Sequence, residues 1–236
     1  KSGFSPVRMA HMLKLAKLES LSDPQMVNEL KTHLTNASAP APSVETILHA
    51  ILPFKYVDHT HADSVVTISN TSNGEQRIRE IYGDRVVIVP YVMPGFDLSK
   101  DVGRLFSEQA TDKTEGMVLL NHGIFSFGDN AKQTYDRMIN LVDLAEKYLI
   151  NQNAWEIEKP LGSISTEPMR NEIAQLRQSI STVITLPVLF NLTNSKRGFD
   201  FSNQDDVKSI ATRGPVTPDH VIRTKRIPMI DRDVNQ

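Results

Sequence analysis

The chain has 236 residues, 39% hydrophobic and 23% charged, the balance of a globular protein and not of a disordered one. Its 26 Lys and Arg nearly cancel its 28 Asp and Glu, leaving a formal charge of −2, so no broad basic surface is offered to nucleic acid. The absence of cysteine excludes disulfides and thiolate metal sites, leaving His, Asp and Glu as the residues able to hold a metal.

Met9, Met12, Leu13 and Ala16 recur at helical spacing and predict a first helix over residues 5–19. Ser22 followed by Asp23 and Pro24 predicts a capped start to a second helix, reaching Leu34. The Asn-, Ser-, Ala- and Pro-rich stretch 35–42 reads as a loop. Ser43 is then the expected cap of a helix from Val44 to Leu52, ended by Pro53. Residues 56–70 are rich in Val, Ile and Thr and predict a strand or two. Gly74–Tyr82 reads as a short helix stopped by Gly83. Val86–Val89 is an expected buried strand. Met117–Leu120 is another, followed by a tight Asn121-His122-Gly123 and a short strand, Ile124–Phe127. Asp129 or Asn130 is the expected cap of a long helix to Leu149, with Met138, Leu141, Val142, Ala145 and Leu149 on its apolar face.

Past residue 151 the pattern loosens. Ile173, Leu176, Ile180 and Val183 predict one more helix and Val188–Leu192 a strand, while the polar residues from Thr193 onward read as an appendage or the start of a linker. The expected division is therefore a domain over 1–150 and an appendage over 151–236. Strands and helices alternate without a clean βαβ rhythm, so periodicity fits a mostly antiparallel sheet as well as a parallel one. The longest apolar runs are too short to span a bilayer, and no secretory leader opens the chain, which points to the cytoplasm. The chain opens on Lys1 without a methionine, the expected mark of a piece of something longer.

Seven histidines are present, two of them in Asp58-His59-Thr60-His61-Ala62-Asp63. On a strand, residues i and i+2 share a face, so His59 and His61 can reach one metal ion while Thr60 points away. Taken alone, the pair reads equally well as polar residues of an edge strand. His122 shifts the balance: it follows a very apolar strand and precedes Gly123, where a third ligand fits and backbone can approach closely. Three imidazoles without a thiolate leave a coordination position open, a catalytic arrangement and not a structural one. Glu45, in the first turn of its expected helix, reads more readily as a carboxylate serving the helix dipole, with a base near an anion-binding helix start as the functional alternative. His49 reads as a residue packed behind the ligands, and His11 and His33 as surface residues on polar helix faces.

Ser43-Val44-Glu45, His59-Thr60-His61 and Leu120-Asn121-His122-Gly123, in that order, with about fourteen and then about sixty residues between them, resemble the class II aldolase/adducin family over residues 1–150. The stretches Pro42 to Ala50, Val57 to Asp63 and Val89-Pro90-Tyr91-Val92-Met93-Pro94-Gly95 are similar to the aldolase portion of large proteins that join a rhamnulose-1-phosphate aldolase-like domain to a short-chain dehydrogenase. Arg213-Gly214-Pro215 through Lys225, which includes His220, is similar to the segment joining those halves. No dinucleotide-binding Gly-x-Gly-x-x-Gly follows it here.

The resemblance implies an α/β fold in three layers, α/β/α, with a mainly antiparallel central sheet. It implies that His59, His61 and His122 bind Zn2+ or another divalent metal, which stabilises the enediolate left when a ketose 1-phosphate undergoes aldol cleavage. Glu45 would shuttle the proton. Tyr91 would enter a neighbouring subunit's site and handle the aldehyde oxygen. Ser43, Ser2 and Gly3, with the helix amides, would hold the phosphate. The family's usual Ser-Ser-Glu stands here as Ser43-Val44-Glu45, with one phosphate-contacting hydroxyl lost or displaced, and its Gly-Asn-x-Ser phosphate loop would precede Lys1. The implied assembly is a homotetramer acting on a small sugar phosphate, without nucleic acid or membrane as a partner. A 4-epimerase or dehydratase would use the same metal site. Adducin-type interaction modules lack the histidine set that this chain retains, and nothing resembling an extra nucleophile or base supports a zinc hydrolase.

Overall fold

The computed structural model describes residues 3–156, 170–191, 195–228 and 230. Two compact units divide the chain, Lys1–Gln152 and Asn153–Gln236.

The first unit is built on four strands: β1 (Tyr56–Thr60), β2 (Val86–Val89), β3 (Gly116–Leu119) and β4 (Gly123–Gly128), in the order β1-β4-β3-β2. β4 runs antiparallel to both β1 and β3, whereas β2 and β3 are parallel. The sheet is therefore mixed, which corrects the expected mainly antiparallel one. The reason lies in α6 (Phe96–Gln109), a helix absent from the periodicity reading above. It carries the chain from β2 back to the start of β3, and a crossover of this kind makes neighbouring strands parallel. Phe96, Leu98, Ser99, Val102 and Leu105 form its buried stripe.

Three further helices precede the sheet: α1 (Met9–Leu15), α2 (Asp23–Thr32) and α3 (Thr46–Ile51). Ser22 and Gln25 form a capping box at the start of α2, with Asp23 and Pro24 inside the first turn, as the Ser-Asp-Pro signal predicts. α3 is shorter than expected. Its N-cap is Glu45 and not Ser43; the Ser43 hydroxyl instead accepts the Glu45 N–H at 3.2 Å and forms the turn before the helix.

The Val-, Ile- and Thr-rich stretch after β1 differs more sharply from expectation. Asp63–Ser69 is a helix, α4, in spite of its β-branched residues. Ser64, Val65, Val66, Ile68 and Ser69 are all buried, and packing outweighs an intrinsic propensity that is worth only a fraction of a kcal/mol per residue. α5 (Gly74–Tyr82) ends at Gly83, whose φ of 56° suits glycine, and α7 (Ala131–Asn151) starts where the Asn130 side chain accepts the Gln133 N–H.

Alternation along the strands divides the core between the two sheet faces. Val86, Ile88, Val118 and Ile124 meet α4, α5 and α7, while Val87, Val89, Met117, Leu119, Phe125 and Phe127 meet α3 and α6. A smaller cluster of Met12, Leu15, Met26, Leu30, Ile47 and Phe96 binds α1 and α2 to α3 and the start of α6.

The second unit contains α8 (Arg170–Ile184), α9 (Lys196–Ser202), α10 (Val207–Ala211) and α11 (Pro218–Arg223). α8 carries the expected Ile173, Leu176, Ile180 and Val183. The strand expected over Val188–Leu192 is not formed by residues 188–191; the Val188 N–H and carbonyl bond to the side chains of Ser181 and Arg177 instead of to a neighbouring strand. Leu192 lies outside the described residues. No helix among the described residues is long and apolar enough to cross a membrane.

Leu141 is fully buried between α7 and the sheet, its methyl in the space a Cβ on Gly116 would need. Leu141→Ala is expected to destabilise the protein by about 2–5 kcal/mol, read as a lowered denaturant midpoint with an unchanged slope.

Candidate metal centre

Because β4 is antiparallel to both β1 and β3, and β3 is parallel to β2, strands β1, β2 and β3 all point one way. Their carboxyl ends share one edge of the sheet, the usual place for chemistry on such folds. His59 sits near the end of β1 and His61 just beyond it. His122 lies in the turn joining β3 to β4, and Tyr91 lies just after β2. The Leu120 N–H donates to the Val89 carbonyl at 2.9 Å, fixing that turn to the end of β2.

His59 pairs across the ladder with Phe125, and the two rings stack with centroids 4.0 Å apart. His59 Nδ1 lies 3.1 Å from the Ile124 carbonyl, to which it can only donate, so its Nε2 is left as the basic nitrogen. That Nε2 is 3.1 Å from His61 Nε2. Three donors, one each from His59, His61 and His122, lie within 4.8 Å of one another. Donors held at 2.0–2.1 Å around a tetrahedral ion are separated by about 3.3 Å. The three imidazoles therefore could hold one metal ion.

The turn that presents His122 is pinned from outside. Asn121 has a φ of 61°, a left-handed conformation that Asn tolerates. Its N–H donates to the Ser69 hydroxyl at 3.1 Å and its side-chain amide to Asn70, both at the end of α4. Sequence reasoning missed Ser69 and Asn70 because it read them as strand. Gly123 is required by close approach: a Cβ there would stand 2.6 Å from the Thr60 carbonyl oxygen and 3.0 Å from ring carbons of both His59 and His61.

Glu45 reaches the same point from the start of α3. Its Oε1 is 3.0 Å from His122 Nε2, an ion-pair contact without hydrogen-bond alignment, and its Oε2 is 3.7 Å from His59 Nε2. Burial pushes this carboxyl up, but His122, His59 and His49 together outweigh burial and hold it below its ordinary value. Burial drives His59 down to about 4, with Glu45 opposing, so the imidazole is neutral at physiological pH, the form a metal ligand needs. His49, one turn along α3 from Glu45, lies edge-on to His59 at 6.5 Å and tilted against Phe125 at 5.2 Å; burial lowers its pKa too.

The other sequence candidates stand apart from this cluster. The Tyr91 side chain is exposed, with its hydroxyl 3.8 Å from Met93 Sδ, and no described contact joins it to the histidines. Ser43 adjoins Glu45 through its turn. Gly3 has a φ of 98°, and its segment is tied to the loop before Ser43 by the Ser5 hydroxyl, which donates to the Pro40 carbonyl at 2.8 Å. Ser2 lies outside the described residues.

Residues 12–149 match the family model described as "Class II Aldolase and Adducin N-terminal domain", and residues 167–236 match "Aldolase class II, second domain". The chain is 30% identical over 231 residues to an uncharacterized oxidoreductase, YuxG, of Bacillus subtilis. That alignment takes in 96% of this chain and 33% of the relative, so the chain spans about a third of the length of the curated protein it matches. Among solved structures, the N-terminal class II aldolase domain of a conserved protein from Thermoplasma acidophilum is 44% identical. Its match has a TM-score of 0.57 and covers 62% of this chain and 67% of that one.

Two predictions follow from the geometry. Gly123→Ala is expected to lower stability and to weaken metal binding about 10–100-fold, measured by competition with a chromophoric chelator, because the added methyl forces the Thr60 backbone and the two imidazoles to shift. The second concerns pH in chelator-treated protein. His59 has a folded pKa near 4 against about 6.5 unfolded, so between those values the unfolded chain binds more protons. Stability is then complete above pH 6.5 and falls toward pH 4, by on the order of 3 kcal/mol from this group, with Glu45 adding loss in the same direction. Thermal melts from pH 7 to 4 should show the decline, and His59→Gln should flatten it.

Proposed function

The chain belongs to the class II aldolase and adducin family, and on that premise we propose that it is a divalent-metal-dependent lyase cleaving a ketose 1-phosphate of the rhamnulose-1-phosphate kind. The observation that carries this reading is the convergence of three imidazoles beside a buried carboxylate. A non-catalytic, adducin-like role would leave this costly arrangement without purpose, since buried ionisable groups are retained at a cost in folding free energy.

In the proposed reaction His59, His61 and His122 hold Zn2+ or another divalent ion, which supplies Lewis-acid polarisation of the substrate oxygens. Glu45 moves the proton. Ionised at neutral pH and held next to the donor cluster, it accepts a proton and returns it to carbon. When the carbon–carbon bond breaks, the electron pair stays on the carbon beside the ketose carbonyl. That carbon gains a proton as the hydroxyl on the departing carbon loses one, so charge and protons balance. Tyr91 of the partner subunit attends the oxygen that becomes the aldehyde. Its exposure at the carboxyl end of β2 suits a residue serving a neighbouring site in a homotetramer. Ser43 and the Ser2-Gly3 segment receive the phosphate, a reading supported by the Ser5 bond that ties the N-terminal segment to the loop before Ser43.

The segment 151–236 is read as the appendage that leads toward a dehydrogenase in longer relatives. The Bacillus subtilis protein, about three times as long as the stretch matched here and described as an oxidoreductase, supports that reading.

The test is a panel of ketose 1-phosphates offered to zinc-loaded protein, with release of dihydroxyacetone phosphate as the readout. Cleavage of at least one member is expected. Glu45→Gln should then lower kcat by about 10²–10⁴-fold at unchanged zinc content. No cleavage of any member, or full turnover by Glu45→Gln, overturns the reading.

A further inference from the structure

The N-terminal helices hold a second cluster of metal-ligating side chains, away from the sheet edge. The chain entering α1 and the chain leaving α2 are joined by an antiparallel bridge between Val7 and Leu34. The Arg8 N–H donates to the His33 carbonyl at 3.1 Å, and the Thr35 N–H to the Pro6 carbonyl at 2.9 Å. This backbone tie sets His11, in the first turn of α1, beside His33, the C-cap of α2. Glu29 lies one turn before His33 on α2, the i,i+4 spacing that puts two side chains on one face.

The geometry is that of a donor set. His11 Nε2 is 2.7 Å from Glu29 Oε2, and that oxygen is 3.6 Å from His33 Nδ1. The separation expected for two donors on one transition-metal ion, about 2.9–3.4 Å, lies between these values. One donor atom from each residue lies within 4.8 Å of the other two. His33 Nδ1 is also 2.9 Å from the Glu29 carbonyl oxygen, to which it can only donate, so that bond gives way when the nitrogen takes an ion; the Thr32 hydroxyl lies 3.2 Å from the same nitrogen. The two imidazole rings stack face to face, with centroids 3.2 Å apart and planes 6° from parallel. The end of α2, where unpaired carbonyls gather, adds a field that attracts a cation. The side chains of His11, Glu29 and His33 are 25%, 32% and 28% exposed, open enough for an ion to enter and sheltered enough to hold it.

We propose that His11, Glu29 and His33 form a second divalent-cation site, additional to the His59–His61–His122 cluster, which staples α1 to the end of α2. Two imidazoles and one carboxylate suit zinc, nickel or copper; calcium and magnesium prefer sites made of oxygen. The staple would brace the small cluster of Met12, Leu15, Met26 and Leu30 that these two helices share. The proposal rests on this geometry alone and not on the aldolase reading.

The test is zinc stoichiometry by equilibrium dialysis and elemental analysis. Wild type should bind about two equivalents, His59→Ala/His61→Ala about one, and His11→Ala/His33→Ala about one. In cobalt-substituted protein, the two double variants should each retain a different part of the visible absorption spectrum. Glu29→Gln should weaken the second equivalent about tenfold or more while its melt in chelator stays that of wild type, which carries the test should the double variant fail to fold. A single equivalent that survives His11→Ala/His33→Ala, or an unchanged second affinity in Glu29→Gln, overturns the proposal and leaves the sheet-edge site standing. A single equivalent that survives His59→Ala/His61→Ala but not His11→Ala/His33→Ala supports it and defeats the aldolase reading.

Discussion

Strand β4 lies between β1 and β3, antiparallel to both, and the candidate metal centre depends on that double pairing. It brings the carboxyl end of β1 alongside the turn leaving β3, and so places His59 and His61 against His122, far along the chain. The approach is closest where β4 begins. At Gly123 there is no room for a side chain between the Thr60 carbonyl and the two rings, so the first residue of β4 is held to glycine by the packing of the centre itself. The turn's conformation is secured separately, by Ser69 and Asn70. His122 is thereby fixed from the strand it leaves, the strand it enters and the helix end beside it.

Once the chain is folded this way, electrostatics sets the state of the cluster. His59, His122 and Glu45 are mostly removed from water, where charged forms are costly unless partnered. Burial answers for His59 by keeping it neutral, while the surrounding imidazoles answer for Glu45 by keeping it ionised. A carboxylate beside the neutral imidazole of His59 gives the cluster a negative group that suits a divalent cation. The same reasoning explains His49. Its ring fills the space between Glu45, His59 and Phe125, and its lowered pKa avoids a further positive charge beside the ligands.

What could be read in the sequence was local. The Ser22 capping box, the glycine that stops α5, the Asn130 cap and the Val86–Val89 strand each depend on a few neighbouring residues, and each forms where the pattern places it. The histidine set was legible because i,i+2 on a strand and a His-Gly turn are local signals too, and the family pattern ordered them. Asp63–Ser69 was misread because β-branched residues favour strands in isolation, and only burial on two sides makes them a helix. α6 went unread, and with it went the crossover that makes β2 and β3 parallel. Strand direction is a property of connections, and a missing helix changes it. Ser43 and Glu45 show the finer limit: the turn residues are right, but which of them caps α3 is decided within one residue, where sequence signals are weakest.

The pairing of His11 with His33 marks the same limit from the other side. On helical periodicity each lies on a polar face and reads as solvated, and nothing local to either residue relates one to the other. The bridge between Val7 and Leu34 relates them, and it is a contact between segments that only the packed helices bring together. The two candidate sites are alike in what an ion must displace. At the sheet edge the Glu45 carboxylate stands 3.0 Å from His122 Nε2, and His59 Nε2 already bonds His61 Nε2 at 3.1 Å. Between α1 and α2 the Glu29 carboxylate stands 2.7 Å from His11 Nε2. At each, an incoming ion must replace contacts between side chains that are already made, and its binding is therefore coupled to the protons those contacts hold.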